Sequence, residues 1–118
     1  MSDWRPSARI EHLKQRAELL AQARAFFAER NVIEVQTPVL AKHTVTDPDV
    51  QSIEVPRYGS LQTSPEYQIK RLRAAGMPSC YQLGPAFRHG EQGPLHIPEF
   101  TLLEWYRLGF DHNQVMYE

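Results

Sequence analysis

The chain has 118 residues, 42% of them hydrophobic and 23% charged, which is the balance of one folded domain and excludes a disordered tail. At this length folding buries roughly 65% of the surface of the unfolded chain, enough for a single core. Thirteen Lys and Arg against 14 Asp and Glu leave a net charge of −1, which excludes a free-standing electrostatic nucleic-acid binder. The single cysteine, Cys80, excludes an internal disulfide framework and a cysteine-based zinc site, and it favours a reducing, cytoplasmic compartment. The N-terminal stretch MSDWRPSARIEHLK has no apolar core of a secretory signal, and no run of residues is long and apolar enough for a membrane span.

A helix is expected from about Ser7 to Arg30. Ile10, Leu13, Ala17, Leu20 and Phe27 recur at helical spacing, with Arg24 taking one turn of the stripe. Pro6 and Ser7 suit its start and Asn31 its end. Such a stripe ordinarily packs into a core. Val32 to Pro38 is a short β-rich run closed by proline, and 41–50 reads as a loop. Ser52 to Val55 and Tyr58 to Thr63 are strand candidates. Thr63-Ser64-Pro65-Glu66 then opens a second helix. Ser64 can cap it, Pro65 fits its first turn and Glu66 favours the positive end of its dipole. This helix runs through Ala75 and stops at Gly76.

The last third reads as sheet. Ser79–Leu83 and Pro85–His89 are two strand candidates joined at Gly84-Pro85. Residues 90–98 carry two glycines and two prolines and are irregular. Glu99–Arg107 is a long aromatic strand, and Asp111 with Gln114 marks a fresh helix start. Helices and strands mix without strict alternation, so the expected class is α+β, an antiparallel sheet flanked by helices.

Alternation along the last strand puts Phe100, Leu102, Glu104 and Tyr106 on one face. A carboxylate and a phenol beside an aromatic platform suit an amine-bearing cationic ligand. The same residues also fit an exposed face with one ion pair. Arg88, where a strand gives way to a loop, suits bidentate contact with phosphate or carboxylate, or a surface ion pair. His96 can donate to a phosphate or simply be solvated. His89 and His96 lack metal-ligand spacing, and Cys80 has no neighbouring base, so packing is its expected role. Glu66 can aim its carboxylate at a ligand amine while Ser64 caps the helix. No P-loop is present, and GEQG at 90–93 is too short for a dinucleotide fingerprint.

Three blocks carry a family resemblance. Phe87-Arg88, Glu91 and then His96 to Tyr106, ending PEFTLLEWY, resemble motif 2 of class II aminoacyl-tRNA synthetases of the lysine type. The first helix with Val32–Pro38 resembles motif 1, the dimerisation helix and strand. Thr63-Ser64-Pro65-Glu66 matches the block between the two motifs. They stand in the right order and cover nearly the whole chain, with motif 1 at about 12–38 and motif 2 at about 85–107. The chain is most similar to the elongation factor P ligases related to lysyl-tRNA synthetases. It begins about a dozen residues before the motif 1 helix core, without room for an anticodon-reading OB-fold. On this reading residues 1–118 are the N-terminal portion of a catalytic domain. They lack motif 3 and are incomplete and inactive alone.

The resemblance implies an ATP-dependent, AMP-forming ligase that activates lysine or β-lysine and passes it to a lysine of elongation factor P. It implies a homodimer through motif 1 and magnesium beside the triphosphate. Arg88 would bridge the α-phosphate and the substrate carboxylate as the catalytic group. His89, Gly90, Glu91, His96, Ile97 and Phe100 would form the ATP site, with Glu91 toward the adenine amine, His96 toward the distal phosphates and Phe100 stacked on the base. Ser64, Pro65 and Glu66 would bind the amine near the substrate carboxylate, and Glu104 and Tyr106 the far ammonium. No metal ligand is expected within the chain. Two departures stand out: Ile97 replaces an expected asparagine, and Gly90 shifts the loop acid to Glu91. The alternatives are a fragment of a lysyl-tRNA synthetase that charges tRNA, or a truncated, non-catalytic paralogue acting as a binding or dimerisation module.

Overall fold

In a computed structural model, residues 4–44, 51–89 and 97–109 are described. The chain divides into two units, residues 1–31 and 32–118.

The first unit is the helix α1, Ile10–Glu29. It starts three residues later than the sequence implies. Arg9 is the N-cap and offers no side-chain cap, so Ser7 does not serve that role. The C-terminal end is as expected. Asn31 adopts φ 58°, and its N–H donates to the Ala28 carbonyl over 3.2 Å, closing the last turn. Phe26 and Phe27 meet edge to face at 5.1 Å between centroids, and Phe27 is buried. The expectation that the whole apolar stripe is core is corrected. Ile10 is 59% exposed and Leu13 45%, and Ala17 is exposed too, so only the end of the stripe toward Phe27 is covered.

The second unit holds two three-stranded sheets and one helix. The first sheet has β1 (Ile33–Glu34), β5 (Cys80–Phe87) and β6 (Glu99–Tyr106) in the order β1-β5-β6. The other has β2 (Leu40–Ala41), β3 (Glu54–Val55) and β4 (Gly59–Leu61) in the order β2-β4-β3, all antiparallel. Helix α2 spans Glu66–Ala74. This is the α+β class expected, although β1 runs parallel to β5.

Three boundaries differ from the sequence reading. Leu40–Ala41 is a strand at the start of the expected loop, and it caps the edge of β4. Of Val32–Pro38 only Ile33–Glu34 is regular strand. The two strand candidates around Gly84-Pro85 are one continuous strand, β5. Pro85 is tolerated there for a geometric reason. The Phe87 N–H points away from β6, to the Gln62 carbonyl at 2.9 Å. Pro85 has the same parity, so its missing N–H faces the side that β6 does not pair. The expected loop residues 45–50, the segment 90–96 and the helix start at Asp111 lie outside the described residues.

β5 and β6 pair over their full length, Cys80 opposite Tyr106 through Phe87 opposite Glu99. Among the described residues of this unit, Val32, Ile69, Cys80, Tyr81, Leu83 and Ala86 are buried apolar positions. Cys80 is fully buried, and burial pushes its thiol pKa up, in keeping with a packing role. Gly59 has φ 133°, and a Cβ there would collide with the carbonyl of Ala41, so only glycine lets β4 approach β2 this closely.

α2 ends as its sequence implies. Gly76 has φ 101°, and its N–H donates to the Arg73 carbonyl at 3.0 Å while Met77 N–H reaches Leu72 at 3.0 Å. At the other end Pro65 is the N-cap, one place before the first helical turn. Ser64 Oγ still accepts from the Glu66 N–H at 3.3 Å, from one position further out. Among the described residues no helix is long and apolar enough to cross a membrane.

Candidate active site

The register of β5 and β6 builds the site. Phe100, Leu102, Glu104 and Tyr106 stand on one face, opposite Ala86, Gly84, Gln82 and Cys80. The residues of β5 on this face are small or polar, and Cys80, Gln82 and Ala86 are buried there. Gln82, directly opposite Glu104, is buried and held rigid. Its Oε1 accepts from the Thr37 N–H at 2.9 Å and the Thr37 hydroxyl at 2.7 Å.

Tyr106 donates its phenol to Glu104 Oε2 at 3.1 Å. Burial raises the pKa of Glu104, and the charge of Glu66 raises it further, while the Tyr106 hydrogen bond and the Arg88 guanidinium work the other way. The Tyr106 phenol is pushed well above its ordinary value by burial and by the Glu104 carboxylate, so it remains a donor. Each of these groups feels Glu66, which gathers two carboxylates and a phenol from α2 and β6 into one acidic locus.

Cations surround that locus. Lys70 Nζ donates to Glu66 Oε1 at 2.7 Å, one turn along α2. The Arg73 guanidinium lies 5.4 Å from the centre of the Tyr106 ring, and that of Arg88 lies 5.1 Å from the centre of Phe100. An ammonium is the natural ligand for two carboxylates and a phenol, and the exposed lysine on Glu66 is readily displaced. Arg88 stands beside the aromatic ring, free of the sheet's own ladder except through its backbone, whose N–H meets the Pro98 carbonyl at 3.0 Å.

The expected site residues therefore fall into three groups. Glu66, Arg88, Phe100, Glu104 and Tyr106 are brought together, with Ser64 and Pro65 at the buried entry to α2. His89 and Ile97 are exposed at the ends of the hairpin strands; His89 donates its backbone N–H to Gln51 at 2.8 Å, and Ile97 is 65% exposed. Gly90, Glu91 and His96 lie outside the described residues. Arg73, Lys70 and Gln82 join the site unannounced by the sequence reading. The spacing of Glu66, Lys70 and Arg73, at i, i+4 and i+7 on one helix face, was the available signal for two of them. Among the described residues no three His, Cys, Asp or Glu side chains converge as a metal cage.

Comparison with known proteins defines the family of this chain. The family model described as tRNA synthetases class II (D, K and N) matches residues 1–117, and the chain belongs to this family. Among its curated relatives is the elongation factor P--(R)-beta-lysine ligase of Vibrio cholerae serotype O1, 54% identical over 99% of this chain and 39% of the relative. The protein of the same name from Vibrio vulnificus is 50% identical over the same shares. That from Photorhabdus laumondii is 47% identical over 99% of this chain and 39% of the relative. The chain thus spans about two fifths of the length of the curated relatives it matches.

Proposed function

We propose that the β5–β6 face is the amino-acid half of an adenylating site, and that the protein carrying it activates lysine or β-lysine with ATP and transfers it to a lysine of elongation factor P. The observation that carries this reading is the Glu66–Glu104–Tyr106 cluster, an acidic locus with buried Gln82 paired across the sheet from Glu104. The names of the relatives support the same substrate and acceptor.

In the first step a carboxylate oxygen of the amino acid attacks the α-phosphorus and pyrophosphate leaves. Arg88 bridges both partners and stabilises the charge that builds on the phosphoryl oxygens. Phe100 beside it offers a ring for the adenine. Glu66 holds the amine nearer the reacting carboxylate, and Glu104 with Tyr106 holds the far ammonium. His89, Gly90, Glu91, His96 and Ile97 complete the nucleotide side, while Ser64 and Pro65 position Glu66. In the second step an acceptor amine attacks the acyl carbon and AMP departs. Magnesium bound beside the triphosphate would offset its charge as pyrophosphate leaves.

Residues 12–38 and 85–107 serve as motifs 1 and 2 in this reading. The exposed Ile10 and Leu13 of α1 give the homodimer its contact, and the enzyme works in the cytoplasm, where its acceptor is. Incubating the full-length protein with ATP, β-lysine and either elongation factor P or tRNA tests the reading. A mass increase of one β-lysyl group on elongation factor P supports it. Charging of tRNA in its place assigns the site to a lysyl-tRNA synthetase.

A further inference from the structure

A cleft of about 570 Å³ opens between the end of β2 and helix α2. Lys42 and His43 line it from the strand side, and Tyr67, Gln68, Lys70 and Arg71 from the helix. Three of these six, Lys42, Lys70 and Arg71, are cationic, and among the described residues no carboxylate lines it. In a chain whose net charge is −1, this concentration of one sign is local.

The walls of the cleft are fixed where fixing matters. Gln62 is buried, and its amide donates to the carbonyls of His43 at 2.9 Å and Ser60 at 3.2 Å. Gln68 in turn donates to Gln62 Oε1 at 3.1 Å. This chain of amides ties the strand side to the helix side, so the cationic groups are presented on a defined frame. Lys70 both lines the cleft and holds Glu66, which puts the cleft one helical turn from the amine-binding locus.

We propose that this cleft docks a carboxylate-bearing segment of the protein acceptor, and so steers the acceptor lysine toward the adenylate. The inference rests on the function proposed above, in which a protein must approach Glu66 after activation. Charge complementarity selects the occupant: Lys42, Lys70 and Arg71 match acidic side chains at a rim where electrostatics sets approach and register. A nucleic acid fits less well. RNA recognition calls for a broad basic track and several stacking rings, and the cleft has four basic groups and Tyr67 alone.

The test uses the full-length protein with Lys42→Glu and Arg71→Glu together, neither of which belongs to the adenylating site. We expect the KM for elongation factor P to rise by about 10-fold or more, as for reversed rim charges. β-Lysine-dependent exchange of pyrophosphate into ATP stays within about twofold, because the adenylating groups are untouched. An unchanged KM for the acceptor overturns the proposal. So does a loss confined to tRNA binding, which makes the cleft an RNA surface. If the reversed pair also loses exchange, the milder Lys42→Gln, Arg71→Gln pair decides by the same two readouts. Absence of exchange in the unaltered protein refutes the proposed function itself and is seen before any variant is made.

Discussion

Tyr106 and Glu104, two residues apart on one face of β6, are joined by a 3.1 Å hydrogen bond in which the phenol donates and the carboxylate accepts. The bond leaves the second carboxylate oxygen for a ligand while the phenol stays protonated. Burial of Glu104 makes its charge costly, a cost that a bound cation would offset.

Glu104→Gln should therefore separate binding from stability. Affinity for lysine-like substrates should fall by about 10-fold or more, as for losing a charged hydrogen-bond partner, and affinity for an analogue without the far amine should change little. Equal losses for both, measured by calorimetry, would mean that Glu104 only supports the sheet.

The same group sets a pH dependence. The native Glu104 binds its proton more tightly than the unfolded chain does, so its contribution to stability falls as pH rises from the ordinary carboxylate value through its raised value. Substrate affinity moves oppositely, because the ammonium needs the ionised carboxylate. Thermal unfolding across that window should be flatter for Glu104→Gln than for the unaltered protein, and a slope unchanged by the substitution would assign it elsewhere.

Arg88→Ala in the full-length protein should reduce adenylation on the order of 100-fold, the usual loss for a donor aimed at developing charge. The rate of pyrophosphate exchange measures it. Folding should be intact, since the Arg88 side chain is exposed and its backbone bond to Pro98 remains.

Much of this arrangement could be read before any coordinates. Alternation on β6 placed Phe100, Glu104 and Tyr106 together because a strand's period leaves little choice. Asn31 and Gly76 ended their helices as expected, through a left-handed residue at each end. Other features depend on tertiary partners that composition does not encode. Pro85 reads as a strand break, yet its unpaired side makes β5 continuous. Leu40–Ala41 is too short to announce itself and exists because β4 offers an edge. The stripe of α1 reads as core, but Ile10 and Leu13 are exposed in the single chain. Arg73 and Gln82 became visible at the site only through the packing of α2 and the register of β5.

Gly59→Ala should destabilise the protein by more than ~1 kcal/mol, because the new Cβ meets the Ala41 carbonyl and the positive φ disfavours it as well. Denaturant melts will show it. An unchanged midpoint would mean that β2 and β4 separate without cost.

The exposed stripe of α1 predicts self-association. Under the homodimer proposed above, Leu13→Glu should give monomer in sedimentation equilibrium where the unaltered full-length protein gives dimer, since a charge would replace an apolar contact. A monomeric unaltered protein would leave the stripe without this role.

The most direct measurement of the central claim is amino-acid-dependent exchange of pyrophosphate into ATP by the full-length protein, with β-lysine, lysine and norleucine compared. The account predicts exchange with the diamino acids, negligible exchange with norleucine, and loss of that preference in Glu104→Gln. Exchange supported equally by norleucine, or no exchange with any of the three, would contradict it.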